Sequence, residues 1–138
     1  EKLSLNARSY LFDAGIISLF YAGSRVVKPY FDRVFTGAAR GFISEVNLAE
    51  FYYKTAEKKG LDTAEVWYNQ IRQSAFRIVA PGENITRDAA LLKVGRKHLS
   101  LADCFALATR RAHAEVLLTT DSNLKKAEGK HAVYVPPS

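Results

Sequence analysis

Of the 14 acidic residues in this 138-residue chain, four stand where a charge is out of place. Asp13 is the only charged residue from Ser9 to Ser24, set between Tyr-Leu-Phe and Ala-Gly-Ile-Ile. Asp121 follows Val116-Leu-Leu-Thr-Thr, again at the carboxyl end of an apolar run. Glu50 lies in Val46-Asn-Leu-Ala-Glu-Phe-Tyr-Tyr53 and Asp103 in Leu101-Ala-Asp-Cys-Phe-Ala-Leu-Ala108, and neither stretch holds another charge. Burying a carboxylate without a partner costs several kcal/mol. Gathered at one crevice, four carboxylates repel, and either some take up protons or a cation holds them together. Hard oxygen donors of this kind select Mg²⁺ or Mn²⁺ rather than zinc. The chemistry such an ion supports is hydrolysis of a phosphodiester, in which it bridges the phosphate, acidifies a water and stabilises the leaving oxygen.

Taken singly, each acid also has a structural role open to it. Asp103 is the reciprocal partner of Ser100 in a capping box, and Asp13 and Asp121 are placed to cap the helices that follow their strands. Glu50 can pair with Lys54 at i, i+4, which contributes only ~0.2 to 0.5 kcal/mol. What favours a site is that all four fall at apolar-flanked positions near predicted strand ends.

Short strands and helices alternate along the chain around these four acids. Ser9 to Asp13 is a buried strand with Asp13 at its end, and Ala14 to Tyr21 continues as helix. Lys28 to Phe35 forms a turn or two of helix begun by Pro29, and Gly41 to Ser44 is a second strand. Ser44 caps a helix over Glu45 to Lys59 that Gly60 closes, and Asp62-Thr-Ala-Glu65 reads as a capping box for the next helix, running to about Ser74. Phe76 to Val79 is a third strand ended by Pro81-Gly82, with a helix over Thr86 to Lys97 after it. Ser100 opens a helix to about His113. Glu115 to Leu118 is a fourth strand, Ser122 to Glu128 a short helix and Ala132 to Val135 a last strand. Short apolar strands alternating with helices predict a parallel sheet covered on both faces, and ligands bind such sheets at the carboxyl ends of their strands.

Length and 48% apolar content are enough for a single domain spanning 1–138 with a real core. Residues 1–8 read as a frayed polar arm, and Pro136-Pro137-Ser138 as a plain tail. The 20 Lys and Arg leave a formal charge of +6, which suits a polyanionic partner and equally suits plain solubility. Cys104 has no cysteine to pair with, and its apolar setting is that of a buried thiol in a reducing cytosol. Apolar stretches such as Ala14 to Ala22 are about half of the ~20 residues a membrane span needs. With no export signal at the N-terminus, a soluble cytoplasmic protein is expected.

Four segments, Tyr10-Leu-Phe-Asp13, Ile43-Ser-Glu-Val-Asn-Leu-Ala-Glu50, Leu99-Ser-Leu-Ala-Asp103 and Leu117-Leu-Thr-Thr-Asp121, resemble in order and spacing the acidic signatures of PIN-domain ribonucleases. The short single-domain form is similar to the VapC-type toxins of toxin–antitoxin pairs. The resemblance implies a three-layer α/β/α sandwich with a mostly parallel central sheet, and Mg²⁺ or Mn²⁺ held by Asp13, Glu50, Asp103 and Asp121 as metal-binding and catalytic acids. It implies an RNA substrate, a homodimer and a small antitoxin partner as well, and makes Thr120 the small polar neighbour of the last acid. Two positions depart from the pattern. Ala14-Gly15 stands where the family often has a hydroxyl residue, and Asn123 where a further Asp often follows; a neutral Asn binds Mg²⁺ less well than a carboxylate, so one firmly held ion is expected.

Lys125 and Lys126, soon after Asp121, are candidates to meet a phosphate. Arg25, Lys28, Arg33, Arg40, Lys54, Lys58 and Lys59, with Tyr30, Tyr52 and Tyr53, could line an RNA path or simply form a solvated basic face over an aromatic core. His98, His113 and His131 lack metal-ligand spacing. A signalling receiver module would need paired acids after the first strand and an Asp after the third, where this chain has Ala80-Pro81. A PIN-like domain that binds RNA or a partner without cutting remains open.

Overall fold

The computed structural model describes residues 4–137. Five strands form one sheet: β1 (Ser9–Phe12), β2 (Arg40–Ser44), β3 (Arg77–Val79), β4 (Val116–Thr119) and β5 (Ala132–Tyr134), in the order β3-β2-β1-β4-β5. Every neighbouring pair is parallel, so each connection crosses over through helix. The helices are α1 (Ala14–Tyr21), α2 (Lys28–Phe35), α3 (Glu45–Lys59), α4 (Leu61–Arg72), α5 (Gly82–Lys93), α6 (Leu101–His113) and α7 (Ser122–Glu128).

Alternation along β1 divides the core. Tyr10 and Phe12 join Ile43, Leu118 and the α1, α2 and α3 side chains Ile16, Phe31 and Phe51 on one face. Leu11, with Phe42 and Leu117, packs against Ile85, Leu107 and Leu124 of α5, α6 and α7 on the other. The result is the expected three-layer α/β/α sandwich around a parallel sheet. On its outer side α7 is tied to α6 by Glu128, a buried carboxylate that Arg110 and Arg111 grip at 2.5 and 2.6 Å. Burial alone would raise that acid; the two guanidiniums outweigh it and hold Glu128 below the ordinary carboxylate value.

Three segments differ from what their sequence predicts. No capping box opens α4: the helix begins at Leu61, directly after Gly60, so Asp62 is already helical and Glu65 instead accepts from the Tyr52 hydroxyl at 2.7 Å. Gly60, at φ 95°, both ends α3 and starts α4, a conformation glycine adopts without steric cost. α5 runs over Gly82–Lys93 rather than 86–97, because Pro81 sits at its N-cap with helical φ and the chain turns extended at Val94. The polar arm is structured from Ser4 onward. Ser4–Asn6 forms a 3-10 turn and Arg8 donates its backbone N–H to Glu115; the rest of that arm, residues 1–3, lies outside the described residues, as does Ser138 of the tail. Among the described residues no helix is long and apolar enough to cross a membrane.

Candidate functional site

The register of β1 against β4 pairs Phe12 with Leu118, which sets the residues following each strand side by side. Asp13 is the N-cap of α1 and accepts from Ile16 N at 2.9 Å through Oδ1. Its Oδ2 accepts from Thr120 N at 3.3 Å, across the sheet. Asp121 caps α7, accepting from Asn123 N at 2.7 Å, while its own amide donates to the Thr119 hydroxyl oxygen at 3.0 Å. The same Thr119 side chain acts to lower the pKa of Asp13 against the effect of burial.

Glu50 and Asp103 arrive on helices. Ser44, at the end of β2, caps α3 through Val46 N, which puts Glu50 in the second turn of that helix. Ser100 and Asp103 exchange both bonds of the expected capping box at the start of α6, each at 3.0 Å. The two helices touch through Asn47, whose side-chain nitrogen donates to the Ala102 carbonyl at 3.3 Å. All four acids, with Asn47 and Lys54, line a single cleft of about 660 Å³.

Each acid therefore fills its structural role and faces the same cleft. Asp13 is 7% exposed, and burial raises its pKa from 3.8 to about 6, with a further push from the Glu50 charge against the hydrogen bonds that oppose it. Burial also raises Asp103, helped by Asp121 and Glu50. Lys54 supplies a direct counter-charge, its ammonium meeting Glu50 Oε2 at 3.1 Å. Burial pulls that amine down, but the Glu50 bond and charges, with Asp103 behind them, raise it overall.

Among the described residues no three acidic, histidine or cysteine side chains stand close enough together to hold a metal as they lie. The donor set nonetheless fits a hard divalent cation. Among the described residues Glu50, Asp103 and Asp121 each keep one carboxylate oxygen without a hydrogen bond, and the buried Oδ1 of Asn47 has no hydrogen-bond partner.

Other candidates divide. Thr120 lines the cleft, and Gly15 is backed directly onto it: a Cβ on Gly15 would lie 2.0 Å from Thr120 Oγ1. The Thr120 hydroxyl thus lies directly against the backbone two residues after Asp13. Asn123 gives its backbone N–H to Asp121 but, like Lys126, is not part of the cleft wall. Lys125 is turned away, donating to the Gly129 and Ala132 carbonyls at 2.9 and 2.6 Å. Lys58 and Lys59 line the cleft beside Lys54, as does Trp67. Tyr30 is buried in the core, Tyr52 bonds Glu65 through its hydroxyl and packs its ring edge-on with Tyr68, and Tyr53 is exposed. Arg33 bonds the Ala7 carbonyl at 2.9 Å. Asn47 and Trp67 were not singled out from sequence. The available signal was an Asn three residues before Glu50 on an apolar helix face, and a Trp one helix away.

A PIN domain family model matches residues 10–130. A sequence search of curated proteins gives no match. Among solved structures, the chain resembles FitAcB from Neisseria gonorrhoeae at TM-score 0.69 and 22% identity, over 92% of this chain and 97% of the other. It resembles Mycobacterium tuberculosis VapC20, a sarcin-ricin loop cleaving toxin, at 0.68 and 14%, over 86% and 94%. A toxin–antitoxin complex from Klebsiella pneumoniae matches at 0.66 and 21%, over 94% and 98%. At these identities the likeness is one of fold. The family match runs through every strand but the last and through all four cleft acids, and the chain belongs to the PIN domain family.

Proposed function

We propose that residues 1–138 form a single metal-dependent endoribonuclease domain that hydrolyses RNA phosphodiester bonds as the toxin of a toxin–antitoxin pair. The observation that carries this reading is the convergence of Asp13, Glu50, Asp103 and Asp121, from four different elements, on one cleft at the carboxyl ends of β1 and β4. Those four acids would hold a Mg²⁺ or Mn²⁺ ion. Such an ion supplies Lewis-acid stabilisation of charge on the phosphate and makes a water more acidic.

The chain's own residues do the rest. The Ile16 and Thr120 amides hold both oxygens of Asp13 in fixed directions, and the Ser100 backbone amide does the same for one oxygen of Asp103. Lys54, Lys58 and Lys59 offer positive charge along the cleft wall for the phosphates on either side of the cut. A homodimer and a cytoplasmic setting belong to this reading, and so does a small antitoxin partner, which the likeness to a toxin–antitoxin complex supports.

The test is incubation of the purified chain with a mixed cellular RNA pool in Mg²⁺, in Mn²⁺ and in EDTA, beside Asp103→Asn. Cutting that needs metal and is absent from the variant supports the enzyme. Intact RNA in every lane, from protein freed of any partner, makes this a binding module.

A further inference from the structure

Asn47 is a buried polar residue to which the nuclease reading gives no part. It lies on α3 one turn before Glu50, is 2% exposed, and lines the cleft. Its Nδ2 is committed to the Ala102 carbonyl, next to Asp103. That bond fixes which way the amide faces, since the flipped amide would set oxygen against oxygen. The carbonyl oxygen is then sealed from solvent with no donor among the described residues. Leaving a buried acceptor unpaired costs about 1–3 kcal/mol, and native folds seldom keep one unless something absent from the chain itself satisfies it.

The surroundings say what that something is. Asn47 lies one helical turn before Glu50, bonds the carbonyl of the residue before Asp103, and shares the cleft wall with both carboxylates. A site walled by carboxylates and an amide oxygen attracts a hard cation, for which Asn carbonyls are ordinary ligands. We propose that Asn47 Oδ1 is a neutral fifth oxygen donor to the divalent cation of this cleft, its nitrogen pinned to α6 so that Glu50 and Asp103 are held on either side of the same ion. The inference rests on the metal-dependent reading. A neutral oxygen adds coordination without a further negative charge beside four carboxylates, and it is an oxygen the acidic signatures do not supply.

The experiment follows the side-chain amide of Asn47 in the ¹⁵N-labelled wild-type protein during Mg²⁺ titration without RNA, with Asn69 and Asn84 as internal controls. Mn²⁺ affinity is measured in parallel for wild type, Asn47→Asp, which keeps an oxygen but loses the nitrogen, and Asn47→Leu, which loses both. A saturable shift confined to Asn47, with Mn²⁺ binding at least tenfold weaker in Asn47→Leu and within a few-fold of wild type in Asn47→Asp, supports the assignment. Metal binding that leaves the Asn47 amide unmoved, or equal losses in both variants, overturns it and reduces Asn47 to a clamp between α3 and α6, while leaving the nuclease reading intact. A wild-type chain that binds no metal overturns both. Should Asn47→Leu fail to fold, the wild-type titration decides.

Discussion

Thr120 donates its backbone N–H to Oδ2 of Asp13 at 3.3 Å, so the loop that carries the last acid is latched directly onto the first. Burial raises Asp13 to about 6 from 3.8. Between those values the folded chain keeps a proton that the unfolded chain has released, so raising the pH favours unfolding. In EDTA, denaturant stability should fall between about pH 4 and pH 6 by on the order of 3 kcal/mol. Glu128, held low by Arg111 and Arg110, works in the opposite sense and only below the ordinary carboxylate value. Asp13→Asn should flatten the decline, and Mn²⁺ should restore stability most strongly above pH 6. An Asn variant that declines as steeply as wild type would remove Asp13 as the cause.

Gly15 and Thr120 are matched in shape. Gly15→Ala drives a methyl to within 2.0 Å of Thr120 Oγ1, and overpacking of this kind costs about 1–3 kcal/mol. Because the displaced loop carries both the Thr120 amide and Asp121, RNA cleavage should fall further than stability does. Adding Thr120→Gly should recover much of both. Cleavage rates and thermal melts of the single and double variants check this.

Lys58 and Lys59 are exposed on the same cleft as Trp67, the chain's single tryptophan. Quenching of its fluorescence in Asp103→Asn protein in EDTA reports strand binding without cutting. Each lost phosphate contact flattens the salt dependence for a single strand by about 0.7 in the log–log slope. Replacing both lysines with alanine should therefore flatten it by about 1.4. An unchanged slope would make them a solvated face.

Glu128 is structural. With 2% of its side chain exposed between two arginines, Glu128→Gln leaves partly buried guanidiniums without their counter-charge. A loss of about 3 kcal/mol is expected, or roughly 10 °C in melting temperature for a domain of this size, with cleavage per folded molecule unchanged. Calorimetry beside an activity assay separates the two effects.

The fold was legible because its signals are local and agree. Unbroken apolar strands, Ser44 and Ser100 as caps and Gly60 as a stop all placed their elements within a residue or two. The α4 capping box failed because Gly60 ends one helix and begins the next without a loop, leaving Asp62 no extended position to occupy. α5 was displaced by four residues because Pro81 reads in sequence as a stop and in the structure serves as a helix N-cap. For the site, lone acids in apolar runs pointed to Asp13 and Asp121, but nothing local showed that Lys125 would be spent on the Gly129 and Ala132 carbonyls. Asn47 escaped notice for a related reason. Its orphaned oxygen depends on a contact 55 residues away in sequence, which helical periodicity cannot register.

If the four acids act as one centre, the cleavage rates of Asp103→Asn, Asp121→Asn and the double variant on one RNA in Mn²⁺ will show it. Groups that hold a single ion lose their function together. The double variant should be no slower than the slower single variant, and each single loss should be at least a hundredfold. Losses that multiply in the double variant, or single variants that cut at nearly the wild-type rate, would mean that Asp103 and Asp121 are helix caps and nothing more.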